Sequence, residues 1–313
     1  MPAARVAAQA KVNLFLRVGP RRADGFHDVV TMFQLLDLAD DVIVRIGGAG
    51  RTLHVAGPRL PDAGLGPTEK NLAYRAAVAY VERAGWPNGF SIELNKNIPT
   101  GGGLGGGSSD GGAVLRALDA MNERPLGPAA LQTIAAQLGS DVPFFVSGSA
   151  RAFATGRGED LGGMDPLTPR DVLLVIPPFG VATADAYRWL DEDRPNGAEG
   201  ADDVRRAFEM AGDRPGAHLT LAPKSPGFNE WQFVQGASHN DLEPVVEKRH
   251  PQLRRIRETL SGHGASIARL SGSGSTVFGV FERLPAMPSG IGGDSVVLRT
   301  CTSSRVVQVE VLE

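Results

Sequence analysis

A two-domain α+β fold is predicted for this chain of 313 residues. Strand-like and helix-like segments are interspersed without the regular βαβ repeat of a doubly wound sheet. The length is enough for two hydrophobic cores. The stretch G-R-G-E-D-L-G-G-M-D-P-L-T-P-R at 156–170 reads as a hinge near the middle, so the expected domains are 1–160 and 161–313.

Each element has its own signal. Val12, Leu14, Leu16 and Val18 alternate with Lys11, Asn13, Phe15 and Arg17, the period of a strand covered on one face, so Lys11 and Asn13 point the same way. After a turn at 21–27, strands at 28–36 and 41–46 read as a meander. Asn71 to Ala84 has helical spacing through Leu72, Ala76, Ala79 and Tyr80, and Gly85 and Pro87 stop it. Phe90, Ile92 and Leu94 alternate as a strand that runs into a glycine loop. Beyond the loop, Ala113, Val114, Ala117, Leu118 and Met121 share one helical face, and a second helix spans Leu131 to Leu138. G-S-D-V-P-F-F at 139–145 reads as a turn that enters an apolar strand. The second half opens with a buried strand at 172–176 and a helix from Thr183 to Leu190. A short helix at 201–211 is expected within otherwise irregular structure at 191–235. An amphipathic helix through Val246, Leu253, Ile256 and Leu260 follows, then a strand, turn and strand over 267–281.

Composition excludes several classes of function. Hydrophobic residues are 42% of the chain, too many for a disordered protein. A net charge of −3 gives no global basic field for nucleic acid or an anionic membrane, so any phosphate site is local. Cys301 is the only cysteine, which leaves no internal disulfide and no thiolate cluster for zinc, as suits a reducing cytoplasm. With no run of 18 uncharged apolar residues, a soluble protein is expected.

The loop P-T-G-G-G-L-G-G-G-S-S-D at 99–110 carries the chemistry. Gly101, Gly102, Gly103, Gly105, Gly106 and Gly107, interrupted by Leu104, leave backbone N–H groups open to phosphate oxygens, and the helix expected from about Ser108 and Ser109 adds its positive end. No Walker lysine follows the glycines, so positive charge must come from elsewhere. Only five lysines stand against 27 arginines, which draws attention to Lys11, where a compact ammonium is retained on a strand; a solvated edge residue is the plain alternative. Asp141 reads either as a turn cap or as a carboxylate that orients and deprotonates a hydroxyl. D-G-F-H at 24–27 offers Phe26 as a stacking face and His27 as ring nitrogens, or a core ring beside a surface histidine. S-G-S-G-S-T at 271–276 is a hairpin turn or a second phosphate contact, and H-N-D-L-E at 239–243 reads as a polar helix start rather than a metal site.

A-K-V-N-L-F-L at 10–16, the glycine loop and L-S-G-S-G-S-T-V-F at 270–278 together resemble the three signature motifs of the GHMP kinase superfamily. R-A-D-G-F-H, G-S-D-V-P-F-F and H-N-D-L-E resemble its branch that phosphorylates the 2-hydroxyl of 4-(cytidine 5'-diphospho)-2-C-methyl-D-erythritol in non-mevalonate isoprenoid synthesis. The resemblance implies an ATP-binding N-terminal domain, a ferredoxin-like C-terminal α/β sandwich and a cleft between them. ATP and Mg2+ are the implied cofactors, and a small cytidyl alcohol is the implied partner, with no nucleic acid, no membrane, and a monomer or weak homodimer. Lys11 and Asp141 match the catalytic pair. Asn71, Lys96, Pro99 and the loop from Gly101 to Ser109 match the nucleotide site, Lys96 and Asn71 at its adenine end. Asn13, Phe26, His27, Tyr187, Ser271, Gly272 and Gly274 match the acceptor site, with His27 at the cytosine edge between Phe26 and Tyr187. Phe26 replaces a usual tyrosine, and Gly103 stands where alanine is frequent, a change expected to be mild. The competing readings are a homoserine- or mevalonate-type kinase and a non-catalytic nucleotide- or RNA-binding protein.

Overall fold

A computed structural model describes residues 2–194, 230–286 and 291–312. The helix expected at 201–211 lies outside the described residues. In chain order the strands are β1 (Ala3–Arg21), β2 (His27–Ile46), β3 (Arg51–Ala56), β4 (Phe90–Asn95), β5 (Arg151–Thr155), β6 (Asp160–Gly163), β7 (Asp171–Ile176), β8 (His239–Asn240), β9 (Ile267–Leu270), β10 (Val277–Phe281), β11 (Val296–Cys301) and β12 (Glu310–Leu312). The helices are α1 (Leu72–Ala84), α2 (Gly106–Met121), α3 (Pro128–Leu138), α4 (Val142–Val146), α5 (Thr183–Asp193), α6 (Trp231–Ala237), α7 (Glu243–Arg249) and α8 (Pro251–Gly262).

Two sheets organise these elements. The larger runs β12-β1-β2-β4-β3, with β5 on β2, β6 on β5 and β8 on β1. Residues from α1, α2 and α3 close its core around Ala76, Tyr80, Val114 and Leu118. The smaller sheet is wholly antiparallel, in the order β11-β7-β10-β9. One of its faces packs Leu173, Val175 and Val277 on residues of α5, α7 and α8, including Leu190, Val246 and Ile256. Leu174, Ile176 and Phe278 on the other face meet Val12, Leu14, Met32 and Leu104 of the first half. That shared core clamps the two halves together. The larger sheet takes β6, β8 and β12 from residue 160 onward, so the sheets do not divide at that residue.

Four local expectations change. The meander at 28–36 and 41–46 is one strand, β2, whose Asp40 is buried rather than placed in a turn. V-P-F-F is the short helix α4, with Pro143 in its first turn; a short run buried all round has no period to separate helix from strand. The single helix expected through Val246 and Leu260 is two, α7 and α8, broken at Pro251, which lacks an N–H and disfavours helix in the residue before it. Part of the hinge region, 160–163, forms β6, which pairs antiparallel with β5. Among the described residues no helix is long and apolar enough to cross a membrane.

Candidate active site

The pleat of β1 places Gln9, Lys11 and Asn13 on one face, and the structure buries that face as well as the apolar one. Lys11 Nζ donates to Asn13 Oδ1 at 2.7 Å, Asn13 Nδ2 donates to Thr31 Oγ1 at 2.8 Å, and Thr31 Oγ1 donates to the Phe15 carbonyl at 2.7 Å. This chain of bonds fixes the ammonium. It lies 3.3 Å from Asp141 Oδ2 and 5.3 Å from the centre of the Phe33 ring. The Asp141 carboxylate makes no capping bond to α4. Its side chain is 34% exposed while that of Lys11 is 5% exposed, so the carboxylate is the open half of the pair.

The glycine loop is held from three sides. Leu104 is buried in the shared core, and its carbonyl accepts from Lys11 N at 2.9 Å. Ser271 Oγ donates to the Gly103 carbonyl at 2.9 Å, and Thr276 N donates to that of Gly102 at 3.2 Å. Gly103 has φ +77°, and a Cβ there would sit 2.0 Å from the Ser271 carbonyl oxygen. The exchange with alanine that was expected to be mild is therefore excluded on this backbone. Gly105 is confined less severely, by side chains, since its Cβ would lie 2.9 Å from both Lys11 Cγ and Phe145 Cζ. The helix begins at Gly106, two residues before the expected start, so Gly106, Gly107 and Ser108 occupy its first turn and present N–H groups that lack intrahelical acceptors.

Three cavities meet around these groups. The central one, about 330 Å³, is lined by Lys11, Asn13, Asp141, the first turn of α2 and the Gly272–Ser273 turn. A loop cavity of about 240 Å³ lies against the glycine loop, bounded by Asn71, Lys96 and Pro99, and it shares Gly103, Gly105, Gly106 and Gly107 with the central cavity. On the opposite side an outer cavity of about 850 Å³ is lined by Phe26, His27, Tyr187 and Asp191. His27 Nε2 is 2.7 Å from Asp191 Oδ1, and the His27 and Tyr187 ring centres are 5.1 Å apart. Desolvation, with the nearby Asp141 charge, pushes the Tyr187 hydroxyl pKa up, so the phenol stays neutral.

Beneath the first turn of α2 lies a sealed charge cluster. Lys96 Nζ pairs with both Asp40 and Asp110, and all three side chains are buried. Asp40 also accepts from Asn97 N at 2.5 Å and Ile98 N at 2.8 Å, which ties β2 to the entry of the glycine loop. Burial works against the Lys96 charge, but Asp110 and Asp40 outweigh it and raise its pKa. Burial pushes the Asp110 carboxyl up more than Lys96 pulls it down, and the Asp40 charge adds to the rise.

Residues 71–149 match the GHMP kinases N terminal domain, and 230–287 match the GHMP kinases C terminal family. A 4-diphosphocytidyl-2-C-methyl-D-erythritol kinase of Anaeromyxobacter dehalogenans (strain 2CP-C) is 43% identical over 277 residues, 88% of this chain and 79% of the relative. The chain belongs to this kinase family. The namesake kinase of Desulfotalea psychrophila is 37% identical over 284 residues, 88% of this chain and 85% of its own. A crystal structure of 4-(cytidine 5'-diphospho)-2C-methyl-D-erythritol kinase superposes with a TM-score of 0.68 at 32% identity, covering 96% of this chain and 99% of the other. Homoserine kinase from Cytophaga hutchinsonii, at 18% identity and a TM-score of 0.67 over 99% of this chain and 97% of its own, shares the fold. The protein is thus an ATP-dependent kinase with the two-domain GHMP architecture.

The kinase gathers most of the residues singled out in its sequence and turns a few aside. Lys11, Asn13, Asp141, Gly101, Gly103, Gly105, Gly106, Gly107, Ser108, Tyr187 and Gly272 line the central cavity. Phe26 and His27 line the outer one, with Phe26 half exposed. Asn71, Pro99, Gly102 and Leu104 line the loop cavity. Asn71 is also the N-cap of α1, its side chain accepting from Ala73 N at 2.9 Å. Ser109 is buried and donates to the Gln9 carbonyl at 2.7 Å, away from the central cavity. Ser271 supports Gly103, and Gly274 packs against Leu270, where a Cβ would come within 2.8 Å. Lys96 borders the loop cavity but is committed to two carboxylates. The sequence reading passed over Asp40, Asp110, Thr31, Arg157 and Asp191. Acidic residues inside long apolar strands and helices are the signal that finds the first two.

Proposed function

We propose that this kinase transfers the γ-phosphoryl group of ATP to the 2-hydroxyl of 4-(cytidine 5'-diphospho)-2-C-methyl-D-erythritol, giving the 2-phosphate and ADP in non-mevalonate isoprenoid synthesis. The observation that carries the reading is the position of the Lys11–Asp141 pair, at 3.3 Å, in a cavity flanked by the glycine loop on one side and the His27–Tyr187 cavity on the other. ATP places its phosphates against the N–H groups of Gly106, Gly107 and Ser108, with its adenine toward Asn71. Asp141, the exposed half of the pair, accepts the hydroxyl proton. Lys11, held by Asn13, offsets the charge that develops on the acceptor oxygen and the transferred group in an in-line reaction without a phosphoenzyme. The cytosine stacks between Phe26 and Tyr187, and His27, oriented by Asp191, reads its edge.

The donor set around the first turn of α2 suits a Mg2+ carried by the triphosphate. Ser108 contributes a hydroxyl beside the cavity, and the described residues contain no cluster of three or more His, Cys, Asp or Glu that could hold a metal by itself. Bound there, such an ion would supply charge compensation for the phosphates. A homoserine- or mevalonate-type acceptor leaves the outer cavity of about 850 Å³ unused. We place the protein in the cytoplasm as a monomer or weak homodimer, the chain crossing to its second half near residue 160 although β6, β8 and β12 rejoin the larger sheet. The test is ATP turnover with each acceptor in turn. ADP release that depends on the cytidyl alcohol and not on homoserine or mevalonate is expected, and the reverse preference contradicts the reading.

A further inference from the structure

The central and outer cavities meet at a neck whose shared lining is Val29, Asp141, Arg157, Thr183 and Tyr187. An acceptor with its base in the outer cavity and its alcohol beside Asp141 must thread its diphosphate through this neck. The neck already carries the Asp141 carboxylate, so a diphosphate there needs a cation, and among the described residues Arg157 is the only one in the shared lining. The other cations nearby line only one of the two cavities, Lys11 the central one and Arg188 and Arg21 the outer one. Lys11 is paired with Asp141, Arg188 with Asp185 and Glu192 at 2.9 and 2.8 Å, and Arg21 faces Asp191 at 4.0 Å and donates to the Gly25 carbonyl.

The contacts that hold the Arg157 guanidinium are long ones. Its guanidinium carbon sits 4.7 Å from the centre of the Phe26 ring, its Nε is 3.7 Å from Glu159 Oε1, and the side chain is 45% exposed. The backbone that carries it is firm. The Gly156 carbonyl accepts from Val29 N at 2.7 Å, Gly158 N donates to Thr155 O at 3.0 Å, and a Cβ at Gly158 would lie 3.8 Å from Ser140, next to Asp141. A half-exposed guanidinium on a fixed turn, resting on an aromatic face at the neck, can exchange these long contacts for the forked, charge-assisted pairs that phosphate oxygens offer.

We propose that Arg157 is a specificity-determining residue that grips the diphosphate of the acceptor and so selects a nucleoside-diphosphate-linked alcohol over a free one. This rests on the acceptor class proposed above. The test is calorimetric binding of CDP and of cytidine to the full chain, wild type, Arg157→Gln and Arg157→Lys, with acceptor and ATP KM measured alongside. The wild type should bind CDP at least about tenfold more tightly than cytidine. Arg157→Gln should weaken CDP by about 10- to 100-fold while cytidine changes by less than about threefold, and Arg157→Lys should fall between. Acceptor KM should rise in step and ATP KM should not. Equal losses for CDP and cytidine, or no loss for either, overturn the assignment and leave the acceptor class standing. A wild type that binds neither ligand overturns the acceptor class and this inference with it.

Discussion

Two lysines sit within reach of the same glycine loop and do opposite work. Lys11 faces one carboxylate, Asp141, that is 34% exposed, in the central cavity where it meets the outer one. Lys96 faces two, Asp40 and Asp110, whose side chains are at most 3% exposed. A lysine neutralised once, beside an open cavity, can meet an incoming phosphate. One buried between two of its own carboxylates is committed to them and acts as a bolt between β2, β4 and α2. Composition makes the two look alike, as rare lysines in an arginine-rich chain; burial and the count of partners separate them.

The largest effect that separates them is on stability. Lys96→Met should cost about 3–5 kcal/mol, because two carboxylates would be left in the interior without a cation; urea unfolding measures it. Lys11→Met should leave the unfolding midpoint nearly in place and lower turnover by about 100-fold or more, with nucleotide affinity changed far less, as steady-state rates and nucleotide titration would show. If the Lys96 change instead spares the fold and abolishes nucleotide binding, the bolt description fails.

A smaller effect concerns Asp241, which the comparison extends to β1. Burial alone would raise its pKa, but His239, the Val18 N–H and Arg194 outweigh burial and hold it at about 2. Its folded value is below the ordinary carboxylate range, so its contribution, on the order of 2 kcal/mol, is present above about pH 4 and is lost as pH falls through about 2. The stability gap between wild type and Asp241→Asn in urea should therefore close between pH 4 and pH 2. The smallest effect is Asp110→Asn. Because burial raises that carboxyl, the unfolded chain gives up its proton at a lower pH than the folded one, and Asp110 costs stability as pH rises above the ordinary carboxylate range. The amide should leave neutral-pH stability within about 1 kcal/mol of wild type or slightly above it.

The parts of the site legible in the sequence were those where residue type and local spacing coincide. Six glycines ahead of an amphipathic helix marked the loop, and the pleat placed Lys11 beside Asn13. Where position depends on contacts across the fold, the letters misled or said nothing. L-A-D-D within β2 resembles a turn, because nothing local shows that Asp40 will meet Lys96 56 residues later. Ser108 and Ser109 are adjacent and identical, yet the helical turn sends one to the cavity and the other to the Gln9 carbonyl. G-R-G-E was read as hinge because its glycines are obvious, and the Arg157 they carry to the neck is not. The α+β class survived these errors because it rests on the order of elements, while V-P-F-F changed type because its period is hidden.

The central claim is that Asp141 takes the acceptor's proton beside the mouth of α2 and does not itself hold the nucleotide, whose phosphates rest on the first turn of that helix. Single-turnover phosphoryl transfer to the cytidyl alcohol, measured on Asp141→Asn together with ATP affinity, tests it most directly. We predict a transfer rate lowered by about 100-fold or more with ATP affinity within about threefold of wild type. Transfer at the wild-type rate in that variant would contradict the account.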